Sequence, residues 1–249
     1  MKKAINFALI ITGVVLLLGV IGFITWGMTP LGPTHEALAA MESNANVTVQ
    51  DNGNFVVFTP TLSTPTSGFI FYPGGHVDYR SYAPIAQEIA SRGYQVSVVR
   101  MPLSLAFFGI NKADEVIAAY PDMRYWVIGG HSLGGSMAAS YAKKHPVNVQ
   151  GLALWASYPV TSDDLSSTDM KGLSTYGSND QVMDRENFYA TLGVLPPGTM
   201  VQVIQGGNHA QFGNYGLQPG DGTATISTAD QQIQAADLTV RLLRAVEGE

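Results

Sequence analysis

Tyr125-Trp126-Val127-Ile128-Gly129-Gly130-His131-Ser132-Leu133-Gly134-Gly135-Ser136-Met137-Ala138-Ala139-Ser140-Tyr141-Ala142 carries most of the information in this 249-residue chain. The first five residues are an apolar, strand-like run, and residues 136–142 read as a helix. Between them, Gly130-His131-Ser132-Leu133-Gly134 has the form G-x-S-x-G. Strand, serine, helix is the setting in which this motif makes a nucleophile elbow. Such a turn strains the backbone at Ser132 and requires small residues two positions away on each side. It lifts the hydroxyl above a sheet, where the helix amides and dipole favour negative charge.

A serine nucleophile needs a base, and the base needs an orienting carboxylate. On an elbow the chain order is serine, acid, histidine. Of five histidines, only His145 and His209 follow Ser132. His145 ends the helix that starts at the elbow, roughly 18–20 Å away at helical rise. It reads as a helix-terminal cation ahead of Pro146. His209, in Gly206-Gly207-Asn208-His209, lies just past the strand-like residues 200–204, at the sheet edge where an imidazole reaches an elbow. Asp180 follows the strand-like residues 172–176 through Gly177-Ser178-Asn179 and is the favoured acid. Asp163 and Asp164 sit in a serine-rich loop suited to capping or solvation, Asp169 is a further competitor, and Asp184 and Glu186 look like first-turn helix acids.

Phe69-Ile70-Phe71-Tyr72 reads as a buried strand running into Pro73-Gly74-Gly75-His76. Glycines there let backbone N–H groups face a developing oxyanion, with Leu133 N–H as the second donor. His76 reads equally well as a substrate contact or as an ordinary loop residue.

With these residues in place the chain resembles the alpha/beta-hydrolase superfamily, and within it the compact single-domain hydrolases related to dienelactone hydrolase. The resemblance covers residues 50–246. It rests on Tyr72-Pro73-Gly74-Gly75, Gly130-His131-Ser132-Leu133-Gly134-Gly135, Tyr176-Gly177-Ser178-Asn179-Asp180 and Gly206-Gly207-Asn208-His209. It implies Ser132 as nucleophile, Asp180 as orienting acid, His209 as base, and Gly75 and Leu133 as oxyanion donors. Dienelactone hydrolases use a cysteine nucleophile, whereas this chain has no cysteine. The resemblance therefore implies ester-type chemistry without the dienelactone substrate. Many superfamily members also carry a histidine before the oxyanion glycine, where this chain has Pro73.

The N-terminus reads differently. Residues 7–28 contain no charge and are long enough to cross a bilayer as one helix. Lys2 and Lys3 precede this run, and no further Lys or Arg occurs until Arg80. The positive-inside bias then puts the N-terminus in the cytoplasm and the domain outside, with Trp26 as an interfacial aromatic. A cleaved signal peptide is the alternative, with Ala37-Leu38-Ala39 as its cut site. The length of the apolar run favours an uncleaved anchor. The expected organisation is an anchor over residues 1–28, a linker over 29–46 and a hydrolase domain over 47–249. Net charge is −6 with two positive charges ahead of the anchor, which leaves −8 on the rest and argues against nucleic-acid binding.

Strands are expected at 54–59, 67–72, 95–99, 125–129, 151–155, 172–176 and 200–204. They alternate with helices at 81–91, 113–119, 136–142 and 229–246, the last with an apolar face of Ile233, Ala236, Leu238, Leu242 and Leu243. Such alternation gives an α/β fold, a mostly parallel central sheet with helices on both faces. Only about 15 residues separate the strands at 155 and 172, too few for a cap domain. Pocket walls must then come from loops, with 101–108 and 211–227 as candidates. Asp221 in the second loop reads as a turn residue in preference to a cation ligand. The expected function is hydrolysis of a carboxylic ester or related acyl bond through an acyl-enzyme, on a small-molecule or acyl-bearing substrate, with no cofactor or metal. An acyltransferase or peptidase on the same machinery, or a non-catalytic binding module of the same fold, are the alternatives.

Overall fold

The structure is a computed structural model that describes residues 2–249. Residue 1 of the expected anchor, and the side chains of residues 2–5 and 8, the two leading lysines among them, lie outside the described residues. In chain order the elements are α1 (Lys2–Gly27), α2 (His35–Ala39), β1 (Val47–Asp51), β2 (Phe55–Pro60), β3 (Ser67–Tyr72), α3 (Ala83–Ala90), β4 (Gln95–Val99), α4 (Ala113–Ala119) and β5 (Tyr125–His131). They continue with α5 (Leu133–Lys144), β6 (Gly151–Trp155), β7 (Lys171–Gly177), α6 (Arg185–Ala190), β8 (Met200–Ile204) and α7 (Thr228–Glu247).

The strands form one sheet in the order β1-β2-β4-β3-β5-β6-β7-β8. β1 and β2 pair antiparallel, as do β2 and β4, and every later pair is parallel. Alternation along each strand builds two cores, because successive side chains point to opposite faces. Phe69, Phe71, Val96, Val98 and Val127 face α3 and α7. Ile70, Tyr72, Ile128, Leu152 and Leu154 face α4 and α5. Burial on both faces is what parallel strands require. A long-range tie closes the structure: Ser67 Oγ, at the start of β3, donates to Glu247 Oε1 of α7 at 2.6 Å.

The structure differs from the sequence reading in three places. β1 is an added edge strand whose burial is confined to Val47 and, partly, Val49; its polar Thr48, Gln50 and Asp51 conceal it from a hydropathy reading. In α7, Ile233 is 46 % exposed, while Gln231, Ala235, Thr239 and Val240 are buried. Paired hydrogen bonds from Gln231 to Asn208 fix that rotation of the helix. The segment 29–46, expected as a linker, is packed. Leu31 bridges to Val77, Thr34 N–H donates to Asn214 O at 2.7 Å, and Ala37 of α2 is fully buried.

α1 contains a span, Leu9–Gly27, of 19 residues with mean hydropathy 2.5, exposed along its length up to Gly27, which is buried. It is long and apolar enough to cross a membrane.

Candidate active site

Parallel strands place their C-terminal ends along one edge of the sheet, and the site residues follow from that edge. Ser132 sits between β5 and α5 with φ 51° and ψ −125°. This is a strained conformation for a residue with a side chain, costing about 1–3 kcal/mol. The flanking glycines have no alternative. A Cβ on Gly130 would lie 2.5 Å from Tyr72 O, and one on Gly134 would lie 2.1 Å from the same oxygen. Ser132 N–H donates to Trp155 O at 3.0 Å, and Ser157 Oγ donates to Ser132 O at 2.7 Å, which pins the elbow to the end of β6.

His209 and Asp180 come together as the sequence reading expects. His209 Nδ1 lies 2.9 Å from Asp180 Oδ2, and both residues are buried. The other carboxylate oxygen accepts from the amides of Val182 and Met183, each at 2.9 Å. Asp180 is thereby held as an acceptor facing the imidazole. Asp221 joins the two loops: one oxygen accepts from Ala210 N–H at 2.8 Å and the other from Gly222 N–H at 2.8 Å and Gln181 N–H at 3.4 Å. Among the described residues no cluster of three candidate metal ligands occurs.

Ser132 and His209 line one pocket of about 250 Å³, together with Leu133, Tyr158, Val182 and Met183. Among the described residues Ser132 Oγ makes no hydrogen bond, so the serine and imidazole share a pocket without being joined. Catalytic contacts of this kind are often long until substrate is bound.

The amides of the two glycine-rich turns sort themselves by occupancy. Gly74 N–H donates to Tyr82 Oη at 2.9 Å, and His76 N–H donates to Ser104 O at 2.8 Å. Gly75 N–H between them has no hydrogen-bond partner among the described residues. A Cβ on Gly75 would lie 3.1 Å from Leu133 Cδ2, so this turn stands directly against the start of α5. Leu133 N–H, in the first position of α5, has no intrahelical acceptor. Gly75 packs on the side chain of Leu133, the residue after Ser132.

His131 and Tyr82 were not singled out as site residues by the sequence. His131 is buried, with its ring centroid 4.5 Å from that of His209. Its Nδ1 lies 2.9 Å from Tyr82 Oη, and that hydroxyl already accepts from Gly74. The hydroxyl thus bridges the Gly74 amide and the His131 ring. Burial, and after it the neighbouring His209, hold the His131 pKa well below the usual imidazole range. The backbone carbonyl of His209 works weakly in the opposite direction, although Nε2 finds no partner in hydrogen-bond geometry. The Tyr82 hydroxyl is pushed up by burial.

The remaining candidates lie elsewhere. His145 stacks on Tyr141 at 4.5 Å at the far end of α5. Asp184 caps α6 through Asn187 N–H, Glu186 lies in that helix's first turn, and Asp163 accepts from Ser140 Oγ. His76 stacks on Trp26 of α1 at 4.1 Å.

The profile of the alpha/beta hydrolase family matches residues 68–233, which take in β3, the elbow and both later site loops. The chain belongs to the alpha/beta hydrolase family. Membership supports a hydrolase activity. Among solved structures the fold is shared with the esterase domain of a Rhodothermus marinus protein, at 12% identity and TM-score 0.60 over 80% of this chain and 97% of that one. It is also shared with dienelactone hydrolase from Anabaena variabilis, at 16% identity and TM-score 0.57 over 79% and 97%. A CIB-like hydrolase from Thermoplasma acidophilum aligns at 16% identity and TM-score 0.55 over 78% and 99%. No curated protein matches the sequence. Within the family match, the sheet order puts β6 and β7 between the elbow strand and the strand that leads to His209.

Proposed function

We propose that this family member is a membrane-anchored serine hydrolase that cleaves a carboxylic ester or related acyl bond. The observation that carries the reading is His209, paired with buried Asp180 and opening onto the same pocket as a serine held on a strained elbow. Ser132 Oγ attacks the acyl carbonyl carbon while His209 Nε2 takes its proton. Asp180 fixes the imidazole with its proton on Nδ1 and steadies the cation that forms. The N–H groups of Gly75 and Leu133 receive the negative oxygen of the tetrahedral adduct. Collapse breaks the bond to the leaving group, which takes the proton back from His209. Water, deprotonated by the same nitrogen, then releases the acyl group from Ser132.

The anchor half of the reading rests on the apolar span of α1. The basic residues ahead of it put the N-terminus in the cytoplasm and the hydrolase domain on the other side.

A fluorophosphonate probe and p-nitrophenyl ester turnover test the chemistry together. Ser132→Ala is expected to abolish covalent labelling and to lower turnover by several orders of magnitude. Unchanged labelling and turnover in that variant would remove Ser132 from the reaction.

A further inference from the structure

The end of α1 is built into the domain, and the contact carries a pair of exposed aromatics with it. A Cβ on Gly27 would lie 2.8 Å from Leu103 Cβ, so α1 meets the segment after β4 at backbone distance. His76 Nε2 donates to Trp26 O at 2.8 Å, joining the Thr29 amide and hydroxyl on that carbonyl at the helix end. One turn earlier, Phe23 meets Phe108 edge-on, with ring centroids 6.3 Å apart. Phe108 in turn packs edge-on against Phe107 at 5.5 Å. Both lie in the 3-10 turn Ala106–Lys112, and they are 49 % and 63 % exposed. His76, Leu103 and Ser104 all adopt positive φ in the loops that receive α1. Strained backbone of this kind persists where its surroundings fix it.

Helix length then sets a depth. The 19 residues of Leu9–Gly27 rise about 28 Å, close to the roughly 30 Å of a bilayer's hydrocarbon core. The apolar part of α1, residues 7–27, rises only about 32 Å, so a spanning α1 uses nearly all of it up to Gly27. Phe23 lies about 6 Å inside that end. Phe108 touches Phe23 and must share its depth. A hollow of about 410 Å³ beside the two rings is bordered by Lys144, a cation suited to lipid phosphates at the edge of such a site, and by Lys112, whose Nζ pairs with Glu115 at 3.2 Å.

We propose that the turn Ala106–Lys112 is a second membrane contact, with Phe107 and Phe108 inserted into the bilayer beside α1. The domain then rests on the membrane in one orientation instead of swinging on a tether. This inference rests on α1 being an uncleaved anchor, and its test separates the two claims.

The chain has no cysteine, so a single introduced one is labelled uniquely. Full-length Phe107→Cys, Phe108→Cys and Leu62→Cys variants, each carrying bimane, are reconstituted into phosphatidylcholine–phosphatidylglycerol vesicles. Leu62 is 85 % exposed in the loop before β3, at the opposite edge of the sheet from the loops that receive α1. Phe107 is the more exposed of the pair, and its replacement serves if Phe108→Cys fails to fold. Nitroxide on lipid acyl chains is expected to quench the probes at 107 and 108 several-fold more than the probe at 62. Aqueous iodide is expected to show the reverse order. Equal quenching at all sites, in protein that resists alkaline carbonate extraction, overturns the second contact and leaves the anchor standing. Protection from iodide without quenching by lipid nitroxide points to a protein neighbour and also overturns it. Release of the full-length chain by carbonate overturns both claims.

Discussion

Tyr82 and His131 share one hydrogen bond, 2.9 Å from hydroxyl to Nδ1, and through it the turn after β3 is coupled to the residue before the candidate nucleophile. The same hydroxyl receives Gly74 N–H, so it holds the Gly74-Gly75 turn at a fixed height beside Leu133. Tyr82→Phe keeps the ring and removes this junction. It leaves a buried amide and a buried ring nitrogen without partners, at about 1–3 kcal/mol each. The variant is expected to melt at lower temperature and to lose about tenfold in kcat with little change in KM. Thermal denaturation and steady-state ester kinetics check both.

His131 also predicts how stability responds to acid. Its folded pKa is depressed below the ordinary value of 6.5, so below that pH the unfolded chain binds a proton that the folded chain refuses. The contribution is neutral above pH 6.5, and stability falls as pH drops below it, at up to about 1.4 kcal/mol per pH unit. Denaturant unfolding at pH 7.5 and 5.5 is expected to show this loss. His131→Gln, which cannot titrate, is expected to flatten it.

Gln231 should matter to activity although it lies on α7, away from the pocket. Its side chain accepts from Asn208 N–H at 2.9 Å and donates to Asn208 O at 2.7 Å, bracing the residue before His209. Gln231→Leu fills similar space and strands both backbone groups. The expected result is a stability loss of about 2–3 kcal/mol by denaturant unfolding, with kcat lowered more than KM raised. Gln231→Glu, which keeps the acceptor alone, is expected to fall between wild type and Gln231→Leu.

Shortening the chain should separate the roles of α1 and the segment behind it. A chain beginning at residue 29 keeps Leu31, Thr34 and Ala37 in their contacts, and it is expected to fold as a soluble protein. One beginning at residue 46 uncovers Val77 and loses the Gln87 bonds to Ala40 O and Glu42 O. It is expected to be less stable by about 2–4 kcal/mol, given about 1.5–3 kcal/mol for one buried aliphatic side chain. Urea midpoints of the two chains measure the difference.

What the sequence made legible follows from physics that acts locally. The strands at 67–72, 95–99, 151–155 and 200–204 are bounded as expected, because apolar runs between turn residues leave little choice. Asp180 and His209 were readable because each follows a strand at the same edge. The features that escaped depend on tertiary contact. Gln231 looks solvent-facing until the Asn208 backbone is brought to it. His131 looks like a variable position of the motif until Tyr82 arrives from another element. Trp26 reads as an interfacial aromatic, and nothing in residues 1–46 signals that it stacks on His76.

The bond between Ser67 and Glu247 has a consequence for how the molecule comes into being. It spans 180 residues. It joins the first parallel strand to α7, and α7 packs across β3, β5, β6 and β7. Closing so large a loop costs chain entropy before any packing returns it, so this clasp belongs to the final stage of folding. The residues near 132, 180 and 209 follow the ends of β5, β7 and β8 beneath it, and Asn208 is braced by the same helix. A chain that has emerged only as far as β7 has its serine and lacks its imidazole. On the proposed reading of Ser132 and His209, the young molecule stays inert until folding is complete.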